Sequence, residues 1–428
     1  MTGFSMESGI DGATSRRLDA LAQRVGTPAY VYDLAVLRSS FAALRGDLPD
    51  SELFYSLKAN PHPRVVAELI ASGAQAEVSS TGELDTALAA GCPAEHVLYS
   101  GPGKTREEVE QALRRGVRLF SVESVTDRQR LADACAETDS TAEYLVRVNS
   151  PRGSTGGSLR MGGRASAFGV DHTDTQSLDQ LLRPLGRARP VGLHTFSATN
   201  IADPAELAAE FEQSVRTVAA IAGRAGFTPS VLDLGGGFPA PFARPGPVPR
   251  LPRLRAAVDA VLDTAFPDRH RLGTRVVFES GRALAASAGT LLTTVLDVKR
   301  SGDRTFAVLD AGVNVLGGMS GLGRLRPPSV VPIPLGAEAP SSRRDVDNPV
   351  TLVGPLCTPL DVLAPSIDAS YLYPGQVLAI PNTGAYGPTA SLLGFLSRTP
   401  PAEVVLDGDR LVAVGRTELR TQEEILCD

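Results

Sequence analysis

Short apolar runs alternate with longer amphipathic segments from about residue 30 to about residue 285. "LFYSLKA" precedes "RVVAELIASG", and "HVLYSG" precedes "TREEVEQALRRG". An apolar run of this length predicts a β-strand, and apolar positions three and four residues apart predict a helix. Repeated strand and helix pairs over about 250 residues are typical of a parallel α/β fold, and that length suits a closed barrel. An open doubly wound sheet is the alternative.

The pattern changes after residue 285. Val, Leu and Thr runs broken by Gly and Pro, such as "AGTLLTTVLDVKR" and "AEVVLDGDRLVAVG", replace the helical periodicity. These runs predict an antiparallel β domain. We therefore predict a TIM-like (β/α)8 barrel over residues 28–285 and a β domain over residues 286–428, with residues 1–27 packed against it. The polar, Pro-rich segment 334–349 predicts a surface loop.

Composition and charge narrow the possible partners. A formal net charge of -6 provides no basic surface for nucleic acid or an anionic membrane, so neither is expected. The N-terminal stretch lacks an apolar signal region, and no uncharged apolar run approaches the roughly 20 residues of a membrane span. We expect a cytoplasmic protein. The four cysteines are scattered without a CxxC pair, which predicts free thiols and no metal site.

Lysine is rare in this chain, and one lysine ends the apolar run "FYSLKANP". The only lysines are Lys58, Lys104 and Lys299. A buried ammonium is costly unless it is paired, neutralised or used covalently, so Lys58 is the leading candidate for amine chemistry. "GPGKT" over residues 101–105 is not a Walker motif, because Leu98 stands where that motif requires glycine.

Chemically active side chains follow several of the predicted strands. In a parallel barrel the functional groups come from the C-terminal strand ends. The glycines of "LDLGGGFP" offer backbone N–H groups to an anion, although a plain turn is an equal alternative, and "FESGR" can also be read as a surface ion pair. The strand-end candidates are Lys58, Glu77, Ser80, Arg147, His194, Gly235, Gly236, Gly237, Glu279 and Arg282.

Taken together and in this order, "YSLKANP", "AEVSSTGEL", "SGPGKTREE", "FSVES", "LGGGFP", "FESGR", "GPLCTPLDVL" and "NTGAYG" resemble the motifs of one enzyme family. They resemble the pyridoxal-phosphate-dependent decarboxylases that include ornithine and diaminopimelate decarboxylases. The resemblance extends from about residue 27 to about residue 410. It implies a TIM-like barrel followed by a β domain, the cofactor pyridoxal 5′-phosphate, and a homodimer whose subunits share their active sites.

The resemblance also implies roles for individual residues. Lys58 matches the lysine that carries the cofactor as a Schiff base, Glu279 matches the carboxylate that faces the pyridine nitrogen, and Cys357 matches the proton donor lent by the neighbouring subunit. Asp361 and Thr358 lie in the same motif and are expected to contact substrate. The expected cofactor-binding residues are Lys58, Glu77, Arg147, Phe196, Thr199, Gly235, Gly236, Gly237, Glu279, Arg282 and Tyr386.

The chain departs from the family pattern near the cofactor and near the substrate. Phe196 occupies the position of a histidine that stacks on the ring, with His194 two residues earlier. Thr358 follows Cys357 where family members acting on diamino acids carry Asp or Glu to meet the distal ammonium. The stretch around Gly317–Arg326, whose partner the sequence does not identify, also differs. These changes resemble the branch with carrier-protein-bound glutamyl decarboxylases and siderophore or antibiotic pathway enzymes.

These features predict decarboxylation of an α-amino acid, free or held as a larger conjugate such as a carrier-bound one. Diaminopimelate decarboxylation is one alternative. An amino-acid racemase is another, although the Cys357 motif argues against it. A pyridoxal-phosphate-binding protein without turnover is the third.

Overall fold

The structure is a computed structural model that describes residues 10–151, 159–160, 166–196, 198–317, 329–336, 349–369 and 371–421. The chain divides into two compact units. The barrel unit comprises Leu37–Ala240 and Val248–Ala285, and the sheet unit comprises Met1–Val36, Pro241–Pro247 and Ala286–Asp428. No helix in the described part of the chain is both long enough and apolar enough to cross a bilayer.

The barrel unit contains a closed parallel sheet. Its strands are β1 (Glu52–Ser56), β2 (Gln75–Val78), β3 (Val97–Tyr99), β4 (Leu119–Val122), β5 (Ala142–Asn149), β6 (Ala188–Thr195), β7 (Val231–Asp233) and β8 (Arg275–Ser280). Each strand pairs in parallel with the next, β8 pairs with β1, and the circle is complete. The predicted (β/α)8 barrel is therefore confirmed.

Helices connect the barrel strands, and several begin at a strong cap. Ser80, Thr105 and Ser124 each accept a backbone N–H from the residue three positions later, which satisfies a free donor of the first helical turn. The helices are Leu34–Asp47, Pro63–Ala71, Thr81–Ala89, Arg106–Arg114, Val125–Glu137, Thr175–Leu181, Pro204–Ala225, Leu254–Ala265, Arg269–Leu272 and Arg282–Ala285. Leu34–Asp47 crosses the boundary between the two units.

The barrel interior is filled by apolar side chains from strands around the circle. Together they form one buried cluster: Phe54, Leu98, Leu119, Leu145, Val191, Val231 and Val277. Gly192 allows β6 and β7 to approach closely, because a Cβ at that position would lie 1.9 Å from the Val231 carbonyl oxygen. This packed interior places the polar strand ends at the barrel mouth.

The sheet unit is mostly antiparallel, with two parallel pairings. Its strands are Ala29–Asp33, Gly289–Ser301, Arg304–Leu309, Ile333–Pro334, Val350–Val353, Val362–Ile367, Val377–Pro381, Ala402–Asp407 and Arg410–Arg416. Helix Gly12–Val25 packs Leu18 and Leu21 against apolar residues of this sheet, including Leu292.

The unit boundary differs from the one predicted at residue 28. Strand Ala29–Asp33 lies between Gly289–Ser301 and Ala402–Asp407 in the sheet unit, and Pro241–Pro247 also belongs to that unit. An apolar strand followed by a helix has the same local pattern in either unit, so only the long-range pairing distinguishes them. Most of the predicted loop 334–349 lies outside the described residues.

Candidate active site

Lys58 lies at the end of β1, next to the end of β2. A single helical turn, Leu57–Ala59, follows the strand and carries the lysine. The Lys58 Nζ lies 3.0 Å from Glu77 Oε2 and 3.3 Å from Glu77 Oε1. The expectation that Lys58 is buried is wrong: its side chain is 44% exposed, because the turn buries Leu57 and Ala59 and directs the lysine outward.

Glu77 is the buried member of this ion pair. Its side chain is 1% exposed, and Ser100 donates its hydroxyl proton to Oε1. Burial alone would raise the pKa of Glu77, but the Lys58 charge and hydrogen bonds from Ser100, Ser56 and Lys58 outweigh burial and lower the pKa below its ordinary value. Glu77 is therefore ionised at neutral pH and holds the Lys58 amine at the barrel mouth.

Glu279, at the end of β8, shares a buried cluster with Asp233 and His194. One oxygen or nitrogen atom from each of the three residues lies within 4.8 Å of the others. Burial and the neighbouring Glu77 charge raise the pKa of Glu279 to about 7, against the opposing charges of Lys58 and Arg147. Burial and Glu279 also raise the pKa of Asp233 well above its ordinary value.

His194 is held on its other side by Ser121. The Nδ1 atom lies 2.8 Å from the Ser121 hydroxyl, and Nε2 lies 3.5 Å from Glu279 Oε1. Burial, followed by the positive charges of Arg147, Lys58 and Lys104, lowers the pKa of His194 well below its ordinary value. The ring is therefore neutral and provides one N–H donor and one acceptor.

The glycines after β7 bring the backbone against neighbouring strand ends. A Cβ on Gly235 would lie 2.3 Å from the Thr195 carbonyl oxygen, and one on Gly236 would lie 2.4 Å from the Glu279 carbonyl oxygen. Gly235 and Gly237 have φ values of 67° and 105°, which favour glycine. A side chain would fill the space that this bare backbone leaves beside Glu279 and Phe196.

Phe196 follows β6 and presents its ring to the same region. The Lys58 Nζ lies 5.9 Å from the ring centroid. The ring is also close to Gly235 and Gly236, where an added Cβ would lie 2.9 Å and 3.3 Å from it. The structure therefore gathers Lys58, Phe196 and the glycines at one barrel mouth, where the aromatic face can stack on a planar ligand.

Arg147, in β5, is fixed by a carboxylate that the sequence analysis did not select. Its Nη1 lies 2.9 Å from Glu123 Oε1, and both side chains are buried. Glu123 Oε2 accepts the Gly169 N–H at 2.8 Å, and the Arg147 guanidinium lies 4.9 Å from the Phe168 ring centroid. These contacts orient Arg147 beside the other strand ends.

Lys104 has a structural position, which agrees with the exclusion of a phosphate loop at "GPGKT". Its Nζ lies 2.8 Å from Asp127 Oδ2, and the two side chains are 3% and 5% exposed. The ammonium also donates to the carbonyl oxygens of Gly101 and Ser121. All three of its donors have partners within the barrel unit.

Two further predicted cofactor ligands, Arg282 and Thr199, follow the C-terminal ends of barrel strands. Arg282 begins the short helix Arg282–Ala285 immediately after β8. Thr199 lies in the two-residue strand Ala198–Thr199, which pairs with Leu159–Arg160. Ser80 is the N-cap of helix Thr81–Ala89, where its hydroxyl oxygen accepts the Glu83 N–H.

The remaining predicted residues belong to the sheet unit. Cys357 is a free, exposed thiol, and Thr358 follows it in the same loop. Asp361 is 2% exposed, and its carboxylate accepts the backbone N–H groups of Val313 and Leu356 at 2.7 Å and 2.8 Å. These two hydrogen bonds stabilise the conformation of the loop that carries Cys357. The contact of Asp361 with substrate stays a prediction. Tyr386 is half-buried with a φ of 55°.

Sequence reasoning missed four residues of this region: Ser100, Ser121, Glu123 and Asp233. All four lie at or just after the C-terminal end of a barrel strand. The strand-end rule selected their neighbours and could have selected them too. Much of Gly317–Arg326 lies outside the described residues.

The arrangement fits the cofactor that the motifs imply. Pyridoxal phosphate needs an amine for its aldehyde, an acidic group for its ring nitrogen, a flat surface for its ring and N–H donors for its phosphate. Lys58, Glu279, Phe196 and the glycine backbone supply these four chemical functions. Glu279 is buried at the end of β8, which places a carboxylate among the strand ends that would surround the ring nitrogen.

Comparison with known proteins identifies the family of this chain. Residues 34–286 match the family model described as pyridoxal-dependent decarboxylase, pyridoxal binding domain. An L-glutamyl-(BtrI acyl-carrier protein) decarboxylase of Niallia circulans is 29% identical over 96% of this chain and 97% of its own. Diaminopimelate decarboxylase of Pseudomonas aeruginosa is 30% identical over 98% of this chain and 97% of its own.

A solved structure shows the same architecture. Diaminopimelate decarboxylase from Helicobacter pylori, complexed with L-lysine, is 25% identical and has a TM-score of 0.78. The match covers 92% of this chain and 95% of that chain. The family match over most of the barrel, together with these full-length likenesses, shows that the chain belongs to the pyridoxal-dependent decarboxylases and that its cofactor is pyridoxal 5′-phosphate.

Proposed function

We propose that this enzyme decarboxylates an α-amino acid whose side chain is neutral, acidic or extended by an acyl conjugate, including a glutamyl group held on a carrier protein. The observation that carries the substrate class is Thr358, which stands directly after the exposed Cys357. A neutral hydroxyl cannot form an ion pair with a distal ammonium.

Within the barrel unit, each side chain has a proposed task. Lys58 would hold the cofactor through its amine, and Glu77 orients the Lys58 Nζ. The glycine backbone and Arg282 would hold the phosphate, and Phe196 would cover the ring. Tyr386, which belongs to the sheet unit, is the further phosphate ligand that the family resemblance implies. When bound, pyridoxal phosphate accepts the electrons that the departing carboxylate leaves behind. Glu279 keeps the ring nitrogen protonated, which favours this electron flow.

Cys357 is the proposed proton donor to the α-carbon. Its thiol is exposed in a loop whose turn Asp361 stabilises through the Leu356 N–H. We propose that the enzyme is a homodimer and that each subunit lends the motif that contains Cys357 and Asp361 to the active site of the other, as the family resemblance implies; Thr358 lies in the same motif.

Diaminopimelate decarboxylation is the second candidate function. Several relatives with this name match almost the entire chain at 28 to 30% identity. The carrier-bound glutamyl decarboxylase matches equally well, so overall identity does not separate the two substrates. Thr358 favours the neutral or acidic side chain, because an unpaired buried ammonium costs several kcal/mol.

Steady-state kinetics with matched variants test this proposal. We expect a higher kcat/KM for glutamate or a glutamyl thioester than for ornithine, lysine or meso-diaminopimelate, and we expect Thr358→Asp to shift preference toward the diamino acids. Thr358→Asn is the control, because it matches aspartate in shape without adding charge. A diamino acid preferred by the unmodified enzyme by more than about tenfold, or 1.4 kcal/mol, would refute the substrate assignment.

A further inference from the structure

Three buried polar atoms lie close together among the C-terminal ends of the barrel strands. They are Asp233 Oδ2, Glu279 Oε1 and His194 Nε2, and none of them receives a hydrogen bond from a described residue. The side chains of His194 and Glu279 are 1% and 2% exposed, and Asp233 is 0% exposed. Because unsatisfied buried acceptors are costly and mutually repulsive, a proton or a cation must lie among them.

The second contacts of these residues limit where a proton can reside. Asp233 Oδ1 accepts the Gly235 N–H at 2.9 Å, which leaves Oδ2 directed into the cluster. The Ser121 hydroxyl lies 2.8 Å from His194 Nδ1. If Ser121 donates to Nδ1, the neutral ring carries its hydrogen on Nε2, which then points toward Glu279 Oε1 at 3.5 Å.

We propose that Asp233 is protonated at neutral pH and that its O–H donates a hydrogen bond to the Glu279 carboxylate. His194 donates a second hydrogen bond to the same carboxylate through its Nε2–H. Asp233 is thus a positioning residue: it is a neutral acid that keeps Glu279 anionic and oriented toward the cofactor ring nitrogen. The inference rests on the proposed role of Glu279, although the proton on Asp233 can be measured without the cofactor.

The charges around the cluster support this distribution. Glu279 is faced by the anionic Glu77 and by the cations Lys58 and Arg147, and Asp233 is faced by Glu279 and Glu77. Lys58, Arg147 and Lys104 act on His194 and oppose its protonation. Lys58 and Arg147 therefore stabilise the Glu279 anion, whereas the charges that act most strongly on Asp233 are the anions Glu279 and Glu77, which favour its protonated form.

Infrared spectroscopy of the ligand-free protein at pH 8 tests the proton directly. We expect a carboxylic-acid carbonyl band that shifts when the aspartate side-chain carboxyls are labelled with 13C and that disappears in Asp233→Asn. Asp47→Asn is the matched control, because Asp47 is another buried aspartate of the barrel unit but forms an ion pair with Arg250. The labelling measurement needs no substitution, so the absence of any labelled acid band still overturns the inference if Asp233→Asn does not fold.

The loaded enzyme provides a second readout. Asp233→Asn keeps a donor toward Glu279 and should change cofactor affinity by less than threefold, whereas Asp233→Leu should weaken it by at least tenfold and shift the pH midpoint of the cofactor absorbance. Loss of affinity in Asp233→Asn equal to that in Asp233→Leu would contradict the donor role.

Two further results would overturn the inference. One is the absence of a 13C-sensitive acid band in the unmodified protein at pH 8. The other is one equivalent of metal ion per chain that is lost in Asp233→Asn, which would place a cation in the cluster. If Glu279→Gln leaves cofactor affinity unchanged while the acid band persists, the proposed role of Glu279 fails and the proton on Asp233 stands.

Discussion

Gly236→Ala should damage cofactor binding through a defined steric contact. A Cβ on Gly236 would lie 2.4 Å from the Glu279 carbonyl oxygen and 3.3 Å from Phe196 Cε2. Carbon and carbonyl oxygen atoms in contact are normally separated by about 3.3 to 3.6 Å, so the glycine loop or the end of β8 must move by about 1 Å.

The magnitude follows from this displacement. Overpacking of this kind costs about 1 to 3 kcal/mol of unfolding free energy. A shift of about 1 Å at a reacting centre reduces activity by about 100-fold. Because the displaced backbone belongs to both the proposed phosphate contact and the Glu279 strand end, cofactor affinity should also fall, by about tenfold for each 1.4 kcal/mol of lost binding free energy.

Urea unfolding of the ligand-free protein and absorbance titration with pyridoxal phosphate measure the two effects separately. Gly223→Ala is the control, since Gly223 lies in helix Pro204–Ala225 and a Cβ there meets no atom within 4 Å. The control should be neutral or stabilising by up to about 1 kcal/mol. Unchanged cofactor affinity and activity in Gly236→Ala would refute the steric argument.

Four other predictions follow from named contacts. Lys58→Ala should abolish the borohydride-stable cofactor adduct and activity. Asp127→Ala should lower the unfolding free energy by about 3 to 5 kcal/mol, because it leaves the buried Lys104 charge unpaired. Mixed Lys58→Ala and Cys357→Ala subunits should recover about a quarter of wild-type activity, as random two-fold pairing requires. The pKa of Glu279, raised from 4.5 to about 7, should make the ligand-free protein lose stability as pH rises through that interval, because the folded state binds the proton more tightly.

Each of these predictions has a control and a contradicting outcome. Lys299→Ala should keep the adduct, and an adduct on Lys104 or Lys299 in Lys58→Ala would contradict the assignment of Lys58. Asp127→Ala should be compared with Glu110→Ala, because the pairs of Glu110 with Arg106 and Arg114 are solvent-screened and their loss should change stability far less. No recovery despite measured subunit exchange would place Cys357 in its own subunit's site. Glu279→Gln should weaken the fall in unfolding free energy that the unmodified protein shows between pH 4.5 and about 7.

The sequence predicted the barrel well because strand and helix periods are local properties. The ends of β1, β2 and β8 carried Lys58, Glu77 and Glu279, and the structure places them in one electrostatic network. The prediction placed strand Ala29–Asp33 in the barrel, but the strand belongs to the other sheet. Its partners, Gly289–Ser301 and Ala402–Asp407, lie hundreds of residues later in the chain, and a local pattern does not reveal such pairing.

The candidate site was harder to predict where the role of a residue depends on side chains that are distant in the sequence. The exposure of Lys58 depends on the turn after β1, which a continuous apolar pattern does not reveal. Asp233 ends a barrel strand and could have been selected on that ground, but its proximity to Glu279 and His194 becomes apparent only from the structure. Glu123 was similarly hidden, because its partner Arg147 is on the neighbouring strand.

Carbon dioxide release in deuterated water tests the central claim most directly. With a glutamyl thioester or another preferred amino acid labelled at its carboxyl carbon, the enzyme should release one labelled carbon dioxide for each amine product and place one deuterium on the former α-carbon. Lys58→Ala should release none. Exchange of the α-hydrogen with inversion of configuration and no labelled carbon dioxide would contradict decarboxylation and indicate a racemase.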